Sequence, residues 1–134
     1  MELFTAVWMR AFRECWNNDL ELVNTLKKID FHSTIAYGFD GEEQPRGFIR
    51  VEDGKVIEAG LYEEQPLNWD LRSTRISWNK WLKTPPSMAG LGLAYASRKL
   101  KIEIGDYISM IKDPRMAKPF VRSFLVMSQI KITS

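Results

Sequence analysis

Val51-Glu52-Asp53-Gly54-Lys55-Val56 is the stretch whose reading decides the fold. An Asp-Gly pair between β-forming residues supplies the two left-handed positions of a type I′ turn, so the chain must reverse here as a two-residue hairpin. In that register Glu52 faces Lys55 and Val51 faces Val56, and charge and packing agree with the turn. Upstream, Phe31, Ser33, Ile35, Tyr37 and Phe39 alternate with His32, Thr34, Ala36 and Gly38, the period of a strand that ends at Asp40-Gly41. Downstream, Trp69 to Ser73 reads as a fourth strand and Leu100 to Ile104 as a last one. The hairpin carries Ile49, Val51 and Val56 on one face and Phe48, Ile57 and Leu61 on the other, which predicts cover on part of each sheet face.

Helical patterns flank these strands. Leu3/Phe4, Val7/Trp8, Ala11/Phe12 and Cys15/Trp16 repeat on one helix face, with Arg10, Arg13 and Glu14 opposite. Asn17-Asn18 ends that helix, and Asp19 is placed to cap a second over Leu20 to Lys28. Thr74 to Leu82 carries Ile76, Trp78, Trp81 and Leu82, and Thr84-Pro85-Pro86 stops it. Ser87 caps a pattern from Met88 to Ala96 that Gly90 and Gly92 weaken by up to ~1 kcal/mol each. Asp106 caps a turn running to Lys112, and Asp113-Pro114 opens a final helix. Pro119 lies too deep for that helix to continue unbroken, which predicts a kink or a restart. With no linker and no internal repeat, residues 1–134 are expected to form one α+β domain, 113–134 being an extended C-terminal helical segment.

Composition narrows the function. A formal charge of +2, from 19 basic and 17 acidic residues, is too balanced to point to nucleic acid. One cysteine, Cys15, excludes an internal disulfide and fits a reducing compartment. The Met1-Glu2-Leu3 start lacks a signal-peptide pattern, the Ile132-Thr133-Ser134 end is no peroxisomal address, and no apolar run reaches membrane-spanning length. The expectation is a cytoplasmic protein.

Chemistry-bearing residues are few. One His and one Cys, far apart, cannot supply a zinc site, and no acidic cluster has the spacing of a magnesium or calcium loop, so neither metal nor cofactor is expected. His32 with Asp70 as orienting acid is the one catalytic pairing to weigh, against a structural role for a lone imidazole. Cys15, on the apolar stripe, reads as a small buried hydrophobe. Gly38-Phe39-Asp40-Gly41 and Gly90-Leu91-Gly92 lack the Gly-Lys-Ser/Thr ending of a phosphate loop. Trp78 and Trp81, three residues apart, read as core rather than as a stacking platform. In the C-terminal stretch Met116, Phe120, Phe124 and Met127 share one face, and Lys112, Arg115, Lys118 and Arg122 the opposite one. That pattern is either a core-facing helix with a solvated basic back or a helix that covers an apolar ligand and touches membrane.

The region from about Asp30 to Lys112 resembles the sterol carrier protein type 2 family of lipid-transfer domains. The resemblance rests on Arg50-Val51-Glu52-Asp53-Gly54-Lys55-Val56, Trp69-Asp70-Leu71-Arg72-Ser73, Trp78-Asn79-Lys80-Trp81-Leu82, a helix from Pro86, and Lys99-Leu100-Lys101-Ile102-Glu103-Ile104-Gly105-Asp106, in that order. It implies a five-stranded, mostly antiparallel sheet covered by helices, with an apolar tunnel for a fatty acyl chain, sterol or quinone-type lipid, and no fixed catalytic set. The residues past Lys112 continue beyond that family's usual last helix. The apolar wall is then expected from Ile104, Met110, Met116, Phe120, Phe124 and Met127, and transient contact with anionic membranes through Lys112, Arg115, Lys118 and Arg122. The leading expectation is a non-enzymatic lipid-binding or carrier module. Two others compete: a scaffold subunit with the same fold and a filled core, and a small cone-shaped isomerase-type enzyme. The oligomeric state is left open, a homodimer included.

Overall fold

Asp53 and Gly54 take φ values of 51° and 86°, as the two-residue turn requires, and Val51–Val56 and Glu52–Lys55 pair across it. The computed structural model describes residues 2–130. Its elements run α1 (Ala6–Asn18), α2 (Leu20–Lys27), β1 (Ser33–Phe39), β2 (Gly47–Glu52), β3 (Lys55–Leu61), β4 (Trp69–Ser73), α3 (Arg75–Lys83), α4 (Met88–Ala96), β5 (Lys101–Ile104), α5 (Tyr107–Ile111) and α6 (Pro114–Ser128). Thr5, Asp19, Thr74, Ser87, Asp106 and Asp113 each accept a backbone N–H at a helix start, which satisfies one of the donors a helix leaves open there.

The five strands lie in the order β3-β2-β1-β4-β5. All pairings are antiparallel except β1 with β4. That parallel pair forces a crossover. Tyr62 donates its backbone N–H to Arg46 O at the top of β2, and Asn68 donates to Thr34 O at the bottom of β1. Residues 62–68 therefore descend across β2 and β1 on the face that the helices leave free, where Phe48 and Ala36 are buried. Beside them Arg72 reaches over Gly38, where a side chain would strike Pro45 and the Arg72 stem. Both faces are thus covered near β1, one by helices and the other by an irregular segment.

Two bulges break the strand period. Arg50 pairs with Glu58 and Val51 with Val56, so Ile57 is the extra residue and Leu61 moves to the Ile49 face rather than sharing that of Phe48. Asp70 pairs with Ile104 and Leu71 with Ile102, which leaves Glu103 over and turns Ile104 away from Ile102.

The helices fill the other face. In α1 the buried set is Trp8, Met9, Phe12 and Trp16. Val7 is 55% exposed, so the stripe is rotated towards Met9, and Leu3 and Phe4 precede the helix instead of starting it. Phe4, at φ 62°, inserts its ring among Trp8, Tyr37, Phe39 and Trp78 at centroid distances of 5.1–5.9 Å. The end of α1 grips the hairpin: Trp16 Nε1 donates to Gly54 O, and the Asn17 side chain exchanges two 2.9 Å bonds with the Val56 backbone.

Of the kink or restart expected at Pro119, the restart does not occur, and α6 is one helix from Pro114 to Ser128. The bond that proline removes is the one to the carbonyl of Arg115, in the first turn of α6. Arg115 is exposed, so water can serve that carbonyl. Among the described residues no helix is long and apolar enough to cross a membrane.

Candidate apolar ligand site

Parallel pairing of β1 with β4 sets Ile35 beside Trp69 and Tyr37 beside Leu71, a two-by-two apolar array on the helical face of the sheet. Above it α6 lays Met116, Pro119, Phe120 and Ser123, spaced three and four residues apart and so on one stripe. Trp16 from α1, Leu26 from α2, Phe31 and Met110 from α5 close the sides of a cavity of ≈ 50 Å³. Gly105, at φ +121°, lies so close to the Trp69 ring that any side chain there would collide with it.

The lining carries no charge. Its polar atoms are largely engaged: Ser123 Oγ donates to Phe120 O at 2.6 Å, and Trp16 Nε1 to Gly54 O at 2.9 Å. Burial pushes the Tyr37 phenol far above its ordinary value, so it stays neutral. Such a space suits an uncharged, apolar occupant, since a charge moved into it would lose its hydration without a partner.

Of the six wall residues expected from sequence, Met110, Met116 and Phe120 line this cavity. Phe124 and Met127 do not; each is 1% exposed, in the closed core. Phe124 lies between Trp78 and Trp81, at 6.2 and 5.9 Å. Ile104 lies on the opposite face of the sheet and is 42% exposed, because the bulge at Glu103 reverses its direction. The walls from β1 and β4, Ile35, Tyr37, Trp69 and Leu71, are not among the residues expected from sequence. The alternation of Phe31, Ile35 and Tyr37 announced a buried face there, but the parallel pairing that brings Trp69 and Leu71 beside it leaves no local mark.

The basic residues from Lys112 to Arg122 are not a uniform patch. Arg115 pairs with Asp113 at 3.0 Å, holding that carboxyl below its ordinary range. Arg122 bridges to Asp19 and Glu21 at 3.0 and 3.1 Å. Lys112 and Lys118 are exposed.

His32 and Asp70 do not meet. His32 is exposed, and its Nδ1 accepts the Asp53 backbone N–H at 3.3 Å. Asp70 is buried on the sheet face away from the cavity, bound by two Arg72 donors at 2.6 and 2.9 Å, while Arg72 also donates to Glu42 O. Among the described residues no three His, Cys, Asp or Glu side chains gather as metal ligands would. Cys15 is half-buried, and burial, with Glu14 beside it, raises its thiol above the ordinary value.

No family model and no curated protein sequence matches the chain. Solved structures do. A crystal structure of sterol carrier protein 2 superposes with a TM-score of 0.76 at 15% identity, covering 97% of this chain and 100% of that one. The chain folds as a sterol carrier protein 2-like domain. A conserved hypothetical protein from Thermus thermophilus gives a TM-score of 0.66 at 15% identity, over 95% of this chain and 90% of that one. A ubiquinone synthesis protein, UbiJ-SCP2, gives 0.60 at 9% identity, over 93% and 90%. In this sterol carrier protein 2-like domain α6 is no appendage: Ser123, Phe124, Val126 and Met127 are buried in it, and α6 touches α1, α2, α3, α4 and α5.

Proposed function

We propose that the protein binds an apolar, lipid-like molecule between its sheet and the α5–α6 layer, and that it acts as a carrier rather than a catalyst. The uncharged cavity under α6 carries this reading. Its apolar lining suits a fatty acyl chain, a sterol or a quinone-type lipid, and it contains no carboxylate, imidazole, amine or thiol. The fold it shares with sterol carrier protein 2 supports the same conclusion.

At ≈ 50 Å³ the empty space is well below the ~150 Å³ that admits a benzene ring. A lipid must therefore displace part of the wall. Met110, Met116 and Phe120 are suited to yield, because methionine is unbranched and repacks readily, and α5 is a helix of only five residues. Each methylene buried would return ~0.8 kcal/mol, offset by ordering costs. A ligand that binds only the folded state also raises its stability by mass action.

The test is a thermal melt of delipidated protein with palmitate, cholesterol or a short-chain quinone, paired with native mass spectrometry of freshly purified material. A rise in melting temperature with at least one of them, and a co-purified lipid mass, is expected. Flat melts with all three, and no bound mass, would leave the scaffold alternative, which the closely packed Phe124 and Met127 favour.

A further inference from the structure

The balanced net charge hides an uneven distribution. Between Asp70 and Glu103 the chain carries seven cations and no carboxylate: Arg72, Arg75, Lys80, Lys83, Arg98, Lys99 and Lys101. Three of these are engaged, Arg72 with Asp70, Lys101 with Asp40, and Arg75 over the Phe39 ring at 4.1 Å. Lys80, Lys83, Arg98 and Lys99 have no ion-pair partner among the described residues, and all four are exposed. They stand in two pairs, one before and one after α4.

Helix α4, Met-Ala-Gly-Leu-Gly-Leu-Ala-Tyr-Ala, has no charged residue at all. Its inner face, Leu91 and Ala94, is buried, while Leu93 is 73% and Met88 40% exposed. A side chain added at Gly92 would meet nothing within 4 Å, so that position faces open space. A helix apolar all round is normally covered on every side. Here one side is bare, and the unpaired cations that flank it along the chain indicate what covers it. An apolar strip between basic residues complements an anionic lipid surface, into whose interface Leu93 and Met88 would insert.

We propose that α4 is the surface by which this protein docks on anionic membranes, with Lys80, Lys83, Arg98 and Lys99 held at the headgroups. The position has a structural consequence. Tyr95, near the end of α4, stacks on Tyr107 of α5 at 4.1 Å, and Tyr107 clusters with Met110 and Phe120, two walls of the cavity. Docking therefore places the membrane one stacked ring pair from the wall that a lipid must displace. The inference does not depend on lipid binding in the cavity, since docking is measured with the cavity empty.

Flotation of delipidated protein with phosphatidylcholine vesicles, with and without phosphatidylglycerol, tests it. Binding is expected to the anionic vesicles and to fall with salt. Each juxtamembrane cation strengthens binding about fivefold, so Arg98→Gln with Lys99→Gln should weaken it roughly 25-fold. Leu93→Asp should abolish it with circular dichroism and melting temperature unchanged, the side chain being exposed; Leu93→Gln is the milder variant if Asp disturbs the helix. Lys112→Gln with Lys118→Gln, at the end of α5 and on α6, should leave binding intact. Three results overturn the proposal: no preference for anionic vesicles, binding that survives Leu93→Asp but is lost with the Lys112/Lys118 pair, or a concentration-dependent dimer that Leu93→Asp dissolves.

Discussion

The two halves of α6 carry the same kind of side chain and meet different surroundings. Towards its end, Phe124, Val126 and Met127 are fully enclosed, with Phe124 against the two indole rings of α3. Nearer its start, Met116, Pro119 and Phe120 look onto a space that the sheet and α5 leave unfilled. One helix is a plug at one end and a cavity wall at the other. Periodicity cannot separate these roles, because both halves present the same stripe; what separates them is the element opposite. The nine-residue α3 brings Trp78 and Trp81 to Phe124, whereas the five-residue α5 brings Tyr107 to Phe120 at 6.1 Å and leaves room beside it.

The comparison breaks most visibly in stability. Phe124→Ala removes a fully enclosed ring and leaves a void, at an expected cost of about 3–5 kcal/mol, read from urea unfolding. It should still show the ligand-dependent rise in melting temperature, since Phe124 lines no part of the cavity. Phe120→Ala already borders a void and has fewer contacts to lose, so its expected cost is about 2 kcal/mol. It should also alter the response to palmitate. Equal costs for the two substitutions would mean that α6 is uniformly packed and that the wall is not distinct from the plug.

Filling the space sharpens the contrast in the opposite direction. Ser123 is buried on the cavity stripe, and its hydroxyl donates only to its own helix, at Phe120 O. Ser123→Val replaces that hydroxyl with methyl groups aimed at the void. The expected gain in the empty protein is about 0.5–2 kcal/mol, with the melting-temperature response to palmitate lost. A destabilised variant that still responds to ligand would show that the lipid enters elsewhere.

Much of this architecture was legible in local chemistry, and the exceptions have physical causes. Asp53-Gly54 dictated the hairpin because few residues accept left-handed backbone, and Asp19, Ser87, Asp106 and Asp113 marked helix starts because their side chains cap. The bulges at Ile57 and Glu103 were not legible, since a period of two carries no record of a residue left unpaired; Ile104 was misdirected for that reason. Pro119 predicts a kink or a restart from its position alone, and no restart follows because Arg115, whose carbonyl it deprives, is exposed. Of the helical lining, Met110, Met116 and Phe120 were legible, whereas Trp16, Leu26, Pro119 and Ser123 carry no local sign that they face a cavity. The sheet half depended on β1 meeting β4 in parallel, a contact between residues far apart in sequence that no single segment encodes.

The smallest expected effect tests whether α1 belongs wholly to the closed half. Trp16 touches the cavity, while its neighbour Cys15 packs half-buried against the core. Burial, and then the Glu14 carboxylate, raise the Cys15 thiol, and a raised thiol pKa means less thiolate at any pH below it. Alkylation by iodoacetamide at pH 8 should therefore be slower than for an unstructured peptide thiol, and should climb as pH rises past the ordinary value of about 8.5. The reverse order, a fast reaction at pH 8, would require the lowered pKa of an electropositive site, which Glu14 argues against. Palmitate should leave the rate unchanged if the ligand moves only α5 and the start of α6. If ligand accelerates labelling severalfold, α1 yields as well, and the boundary between plug and wall runs through Trp16 rather than along α6.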